Sequence, residues 1–239
     1  MPLPSIISQA SLAAAIGLSA AGLWAGTQPP NPSPDKIPAT GDTIRFLINA
    51  LHKYGNLVYV PVGLVVAPHM ILALTYPNFP DWLARYITPG CLDSAFFTWS
   101  KTTAVPLALV LGIGTPLRLI SYGTLGKNFT FALSEPDRLN TTGLYRYIQH
   151  PSYTGALALG VGAVSLWGRF GSSPSCFFPW WLFSRLQPYE KGIISLLLAG
   201  ALSVIWHRVK DEEALLHAKF GSEWESWHSR TARFIPFLF

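Results

Sequence analysis

Asn140 to Gly155 reads NTTGLYRYIQHPSYTG, a polar approach that ends at Gln149-His150-Pro151, where a long apolar segment begins. That change of character marks a passage from water into a membrane. Proline suits the first turn of a helix, where its missing N–H is not needed, so a helix is predicted to start at Pro151. His150 then sits at or just before the start, with Ser152 and Tyr153 in the first turn. Imidazole, hydroxyl, phenol and unpaired backbone N–H groups converge at one depth. The partial positive charge of the helix N-terminus suits the carboxylate of an amino-acid-like ligand. The same residues also suit a plain interfacial anchor, with Tyr145, Tyr147 and Tyr153 in an aromatic belt.

Composition extends this reading to the whole chain. Half of the 239 residues are hydrophobic, only 12% are charged, and the apolar residues fall in long blocks. This predicts an all-α fold, a polytopic membrane helix bundle with about five transmembrane helices. The net charge of +5 comes without any dense Lys/Arg run, so the basic residues read as topology determinants and nucleic acid is not an expected partner. Cys91 and Cys176 form no CxxC pair and no His/Cys cluster has zinc spacing, so no metal site is expected. Two cysteines allow at most one bridge, between Cys91 and Cys176, if both face an oxidising lumen.

From the N-terminus, Ser5 to Gly26 is apolar and Ala-rich with no basic residue before it, which favours a retained membrane helix over a signal peptide. A Pro-rich linker follows, and Asp42 to Tyr54 is expected to form a short amphipathic interfacial helix. Spans are predicted at Leu57 to Tyr76, Phe96 to Ile120, Ser152 to about Phe170, and Tyr189 to Trp206. The third contains Pro106, Gly112, Gly114 and Pro116 and is expected to kink near its end. The fourth is rich in Gly and Ala, which lets helices approach closely. His69 in the second span is expected to be a packed structural group. With the N-terminus in the lumen, only Arg85, Lys101, Arg169, Arg185 and Lys191 lie on the lumenal side. The sequons at Asn128 and Asn140 then fall on the cytosolic side, unglycosylated.

Beyond the fifth span the chain reads RVKDEEALLHAKFGSEWESW from Arg208, placing Asp211, Glu212 and Glu213 close to the membrane. By spacing alone Arg208 and Glu212 are an i, i+4 pair on one helical face. GLYRYIQHPSYTG, the Glu212-Glu213 pair, Leu215, Phe220-Gly221, Trp224 with Trp227, the end FIPFLF and the upstream LGKNFT together resemble the isoprenylcysteine carboxyl methyltransferases. More broadly, they resemble the small membrane methyltransferases that include the phospholipid N-methyltransferases. The resemblance runs from about Leu125 to Phe239. It divides the chain into N-terminal membrane helices and linkers at 1–124 and a membrane-embedded methyltransferase core at 125–239. One departure is Gln149, where the family usually has Arg before the His-Pro.

The resemblance implies methyl transfer from S-adenosylmethionine to the C-terminal carboxylate of a prenylated cysteine, at an active site on the cytosolic face, in an integral membrane protein of the endoplasmic reticulum. Its residues would be Asp137, Arg138, Leu139, Asn140, Tyr145, His150, Pro151, Ser152 and Tyr153 around the donor. Glu212 would meet the donor's ammonium or ribose hydroxyls, with Glu213 in support. Arg208 would hold the substrate carboxylate, because a guanidinium binds a carboxylate through two hydrogen bonds. A carboxylate with a pKa of about 3.5 is already ionised at neutral pH and needs alignment and partial desolvation, not a general base. The alternative acceptor, the amine of phosphatidylethanolamine, would need a base, and Glu212 or Glu213 would supply it. Prenyl-chain preference and oligomeric state are left open by the sequence.

Overall fold

The computed structural model describes residues 5–32, 38, 41–84, 87, 91–177 and 179–238. Lys36, Arg85, most of the Pro-rich linker and the Cys176 side chain, with the possible bridge to Cys91, lie outside the described residues. Among the described residues all regular elements are helical. They are α1 (Ile6–Thr27), α2 (Arg45–Thr75), α3 (Asp81–Ala84), α4 (Lys101–Leu107), α5 (Thr115–Leu125), α6 (Pro151–Trp167), α7 (Trp180–Leu186), α8 (Glu190–Phe220) and α9 (Ser222–His228).

Among the described residues, three stretches are long and apolar enough to cross a membrane: Ile6–Thr27, Ser94–Asn128 and Trp181–Phe220. The protein is an integral membrane protein built as a helical bundle. Val62–Thr75 in α2 is a shorter apolar stretch, and α6 has 17 residues. Two expected boundaries differ. Residues 45–75 form one continuous helix, not an interfacial helix followed by a separate span, and it runs on through Gly55 and Pro61. Likewise α8 continues without interruption from the fifth span through the charged stretch to Phe220, where Gly221 at φ 51° ends it.

Where a kink is expected in the third span, the helical winding changes. Between α4 and α5, residues Ala108–Gly114 wind as a π-helix, and Thr115 N–H reaches back to the carbonyl of Val110. Pro116, one residue on, has no N–H to offer the regular ladder. This widened turn packs against α6 at near backbone contact. A Cβ on Gly114 would lie 2.9 Å from the backbone nitrogen of Leu159, and one on Gly162 would lie 3.0 Å from the Pro106 carbonyl oxygen. In lipid, where apolar burial gives helices little reason to associate, such small-residue contacts supply the packing. α1 joins this body through Leu12 and Ile16, which pack with Val66, Leu107 and Leu166. His69 is fully buried here, its Nε2 3.0 Å from the Phe96 carbonyl oxygen and its ring against Phe97, so it is a packed group between α2 and the loop before α4.

α8 is different. Only 11% of its apolar window is buried, against 33% for Ser94–Asn128. Leu196, Leu197 and Leu202 are exposed, which suits contact with lipid chains. Its charged C-terminal half returns to the bundle, burying Arg208, Val209, Glu213 and Leu215.

Candidate active site

α6 begins at Pro151 with His150 at the position just before it, as the proline predicts. The C-terminal segment docks beside this start through main-chain hydrogen bonds. Gln149 N–H donates to the Ala232 carbonyl at 2.8 Å, His150 N–H to the Arg233 carbonyl at 3.0 Å, and Ala232 N–H to the Tyr147 carbonyl at 3.2 Å. The Thr154 hydroxyl adds a bond to the Phe234 carbonyl at 2.8 Å, and the Trp227 indole N–H donates to the Tyr145 carbonyl at 2.8 Å. The two conspicuous sequence stretches therefore form one structural unit.

Beside that unit lies a cavity of about 300 Å³. Arg118, Asn140, Tyr145, His150, Ser152, Tyr153, Arg208 and Glu212 supply its polar lining. Ile44, Ile48, Leu125, Ala156, Val204, Ile205 and Leu216 supply apolar lining. Of the residues expected at a site, Arg138, Leu139, Asn140, Tyr145, His150, Ser152, Tyr153, Arg208 and Glu212 all line it. Asp137, Pro151 and Glu213 do not. Asp137 is exposed and pairs with Lys127 at 2.7 Å, an interaction that lowers its carboxyl pKa. Pro151 is buried in the α6 start. Glu213 makes a two-point pair with Arg233, at 2.7 and 3.3 Å, which fastens α8 to the C-terminal segment.

Around Arg208 the polar groups form a chain. Tyr153 donates its hydroxyl to Glu212 Oε2 at 2.6 Å, and Arg208 Nε donates to that same hydroxyl oxygen at 3.3 Å. Arg208 Nη1 donates to Asp42 Oδ1 at 2.7 Å, and Nη2 donates to the Phe131 carbonyl at 2.5 Å. The expected carboxylate-holding arginine thus already has a carboxylate, from a residue ahead of α2. The His150 ring is buried between two acids, Nδ1 3.8 Å from Glu212 and Nε2 3.6 Å from Glu213. Those separations are too long for hydrogen bonds, and among the described residues both ring nitrogens are without a hydrogen-bond partner.

Arg118 is the cation that the sequence reading did not single out. It is buried in α5, and its Nε and Nη1 donate to the Gly26 carbonyl at 2.7 Å and the Ser152 hydroxyl at 2.5 Å. Its guanidinium carbon lies 4.8 Å from the Tyr122 ring centroid, 5.2 Å from Phe131 and 5.6 Å from Phe129. Among the described residues no acid pairs with it within 4.0 Å. A buried guanidinium stays charged, and without an anion its desolvation is only partly offset by neutral acceptors and ring faces.

Gln149, in place of the usual arginine, is buried and fully occupied. Its amide N–H groups donate to the carbonyls of His228 at 3.1 Å and Thr231 at 2.6 Å. Its oxygen lies 2.8 Å from His228 Nδ1, so that nitrogen carries the proton. Partial burial lowers the His228 pKa and favours the neutral ring. A neutral amide therefore does the joining here. Burial raises the pKa of the Tyr145 phenol, which keeps its proton at neutral pH.

The sequence profile of the isoprenylcysteine carboxyl methyltransferase family matches residues 106–195. A probable protein-S-isoprenylcysteine O-methyltransferase of Oryza sativa subsp. indica is 24% identical over 197 residues, covering 80% of this chain and 87% of the relative. Over these stretches the chain is similar to the isoprenylcysteine carboxyl methyltransferase family. Further similar proteins are the protein-S-isoprenylcysteine O-methyltransferases of Schizosaccharomyces pombe, 26% identical over 165 residues (67% of this chain, 56% of the relative), and of Dictyostelium discoideum, 30% identical over 93 residues (37% and 36%). The isoprenylcysteine carboxyl methyltransferase match begins at Pro106, so it takes in Arg118 as well as the His-Pro stretch. It ends before Arg208, and Asp42 lies outside it.

Proposed function

We propose that the protein is a protein-S-isoprenylcysteine O-methyltransferase that esterifies the C-terminal carboxylate of prenylated cysteine, with S-adenosylmethionine as methyl donor. The observation that carries this reading is one cavity, in a chain that matches this family in part, lined by two buried arginines and by apolar residues of α2, α6 and α8. A prenylcysteine has the same two characters, an anion at one end and a long apolar chain at the other. The exposed apolar half of α8 adjoins Val204 and Ile205 in the cavity wall, which supports entry of the chain from the bilayer.

The donor's functional groups fit the remaining polar lining. Glu212 suits its ammonium or ribose hydroxyls, while the unpartnered His150 ring nitrogens and the Asn140 amide suit its other polar groups. When bound, S-adenosylmethionine supplies an electrophilic methyl carbon. This chain's own residues have the tasks of orienting and drying the acceptor. Arg118 and Arg208 hold its carboxylate, already ionised at neutral pH, and the apolar lining excludes water. No side chain has to remove a proton. A cytosolic face for the site and residence in the endoplasmic reticulum complete the proposal, supported by the excess of basic residues on that side.

Transfer of label from S-adenosylmethionine to N-acetyl-S-farnesylcysteine, in membranes, tests this function. The expected product is a base-labile methyl ester. Label appearing instead in phosphatidylethanolamine, or in neither acceptor, would overturn it.

A further inference from the structure

Asp42 lies ahead of α2 in a part of the chain that neither motif stretch reaches. Its side chain is completely buried, and both oxygens are used. Oδ1 accepts from Arg208 Nη1 at 2.7 Å, and Oδ2 accepts from the backbone N–H of Leu133 at 2.9 Å. The next residue repeats the attachment: Thr43 N–H donates to Asp211 Oδ2 at 2.8 Å. The Asp42 carbonyl then accepts the Arg45 N–H at 3.2 Å, at the start of α2. One carboxylate thereby joins α8, the 129–136 loop that lines the cavity, and the entry to α2.

Arginine has five N–H donors in a rigid plane. On Arg208, Nε is held by Tyr153, one Nη1 hydrogen by Asp42 and one Nη2 hydrogen by Phe131, which leaves one hydrogen on each terminal nitrogen for a ligand. Three fixed bonds remove the rotamer freedom of a long side chain before any ligand arrives. Charge decides whether Asp42 stays. Arg118 and Arg208 are balanced by Asp42 and Glu212. A sulfonium donor with one ammonium and one carboxylate is singly positive, and the acceptor carboxylate offsets it. With Arg138 also in the lining, the filled cavity carries no excess negative charge with Asp42 in place, so the substrate has no electrostatic need to displace it.

We infer that Asp42 is a positioning residue: it fixes the Arg208 guanidinium in the cavity wall for the acceptor carboxylate, so the segment before α2 completes the site. This rests on the function proposed above. The experiment uses the full chain in membranes and compares wild type, Asp42→Asn, Asp42→Glu, Arg208→Gln and the Asp42→Asn/Arg208→Gln double variant. Its readouts are kcat and KM for N-acetyl-S-farnesylcysteine, binding of labelled S-adenosylmethionine, and thermal unfolding.

Asp42→Asn is expected to lower kcat/KM for the acceptor about 30-fold or more, the lower end for breaking a buried charge pair, while donor affinity stays within about 3-fold. Asp42→Glu restores part of the loss, and the double variant is scarcely worse than Arg208→Gln alone. The double variant also removes the stranded charge, so it remains informative if Asp42→Asn folds poorly. A lower acceptor KM in Asp42→Asn would make Asp42 a competitor, and parallel loss of donor binding and melting temperature would make it purely structural; either overturns the inference. If wild type methylates no prenylcysteine, the proposed function fails. The inference is then read from unfolding, where additive effects of the Asp42 and Arg208 substitutions would overturn it.

Discussion

Arg118 and Arg208 line one cavity, but the regions that hold them meet the cost of a buried guanidinium differently. Around Arg208, on the half of α8 that returns from the lipid-exposed face, the charge is met inside the protein by Asp42 and by the Tyr153–Glu212 chain. Around Arg118, in the tightly packed body of α1, α5 and α6, it is met by a carbonyl, a hydroxyl and three aromatic rings. Holding a cation without an anion in a site that can admit one prepares that site for an anionic ligand. The difference teaches that the less obvious arginine has the greater capacity for a carboxylate, while the one beside the acidic motif is already engaged.

The largest test of that contrast is Arg118→Ala. It should cut methyl transfer to farnesylcysteine about 100-fold or more, since loss of a charge-assisted contact made to the reacting carboxylate costs about 3 kcal/mol. Arg118→Lys should recover little, because an ammonium lacks the planar fork and the stacking on three rings. Steady-state rates at saturating donor measure both, and near-wild-type activity of Arg118→Ala would erase the distinction between the two regions.

Tyr153→Phe probes the other side. It removes the hydroxyl shared by Arg208 and Glu212, and a buried hydrogen bond to a charged group is worth about 1.5–3 kcal/mol. A loss of about 10-fold or more in kcat/KM for the acceptor is expected, with a donor-binding defect through Glu212. Titration with labelled donor separates the two effects.

Packing gives a third comparison, read by thermal unfolding in detergent. Gly162→Val places methyl groups where a Cβ alone would come 2.6 Å from the Val110 side chain, so it should destabilise by about 1–3 kcal/mol. Gly200→Ala on exposed α8, where a Cβ meets nothing within 4 Å, should leave stability unchanged or slightly raised. Equal effects would mean that α8 is packed in the membrane after all.

The smallest effect belongs to the exposed Lys127–Asp137 pair on the loop between α5 and α6. Lys127 lowers the Asp137 pKa, so any stabilisation from this pair is present above the ordinary carboxylate pKa and lost as pH falls through the lowered one. The slight difference in melting temperature between wild type and Asp137→Asn at pH 7 should vanish in acid.

Much of this organisation is legible along the chain. Long apolar blocks announce membrane helices because each backbone must satisfy its own hydrogen bonds in lipid, and Pro151 marks a helix start because its missing N–H is harmless only there. The pairing of LGKNFT, the His-Pro stretch and the acidic tail carries the family resemblance before any coordinates. The boundary after Tyr54 misleads, since the amphipathic and apolar segments form a single helix that continues through Gly55 and Pro61.

What the sequence by itself determined was the membrane-helix class and the start of α6, which follow from local composition and spacing, while the candidate site residues rested on a family resemblance. Only the tertiary structure decided which charges meet. Asp42 and Arg208 are 166 positions apart, and Arg118 is caged by aromatic rings from its own helix and from the following loop. No periodicity records such pairings, because Coulomb attraction and desolvation depend on distance through space and not on separation along the chain.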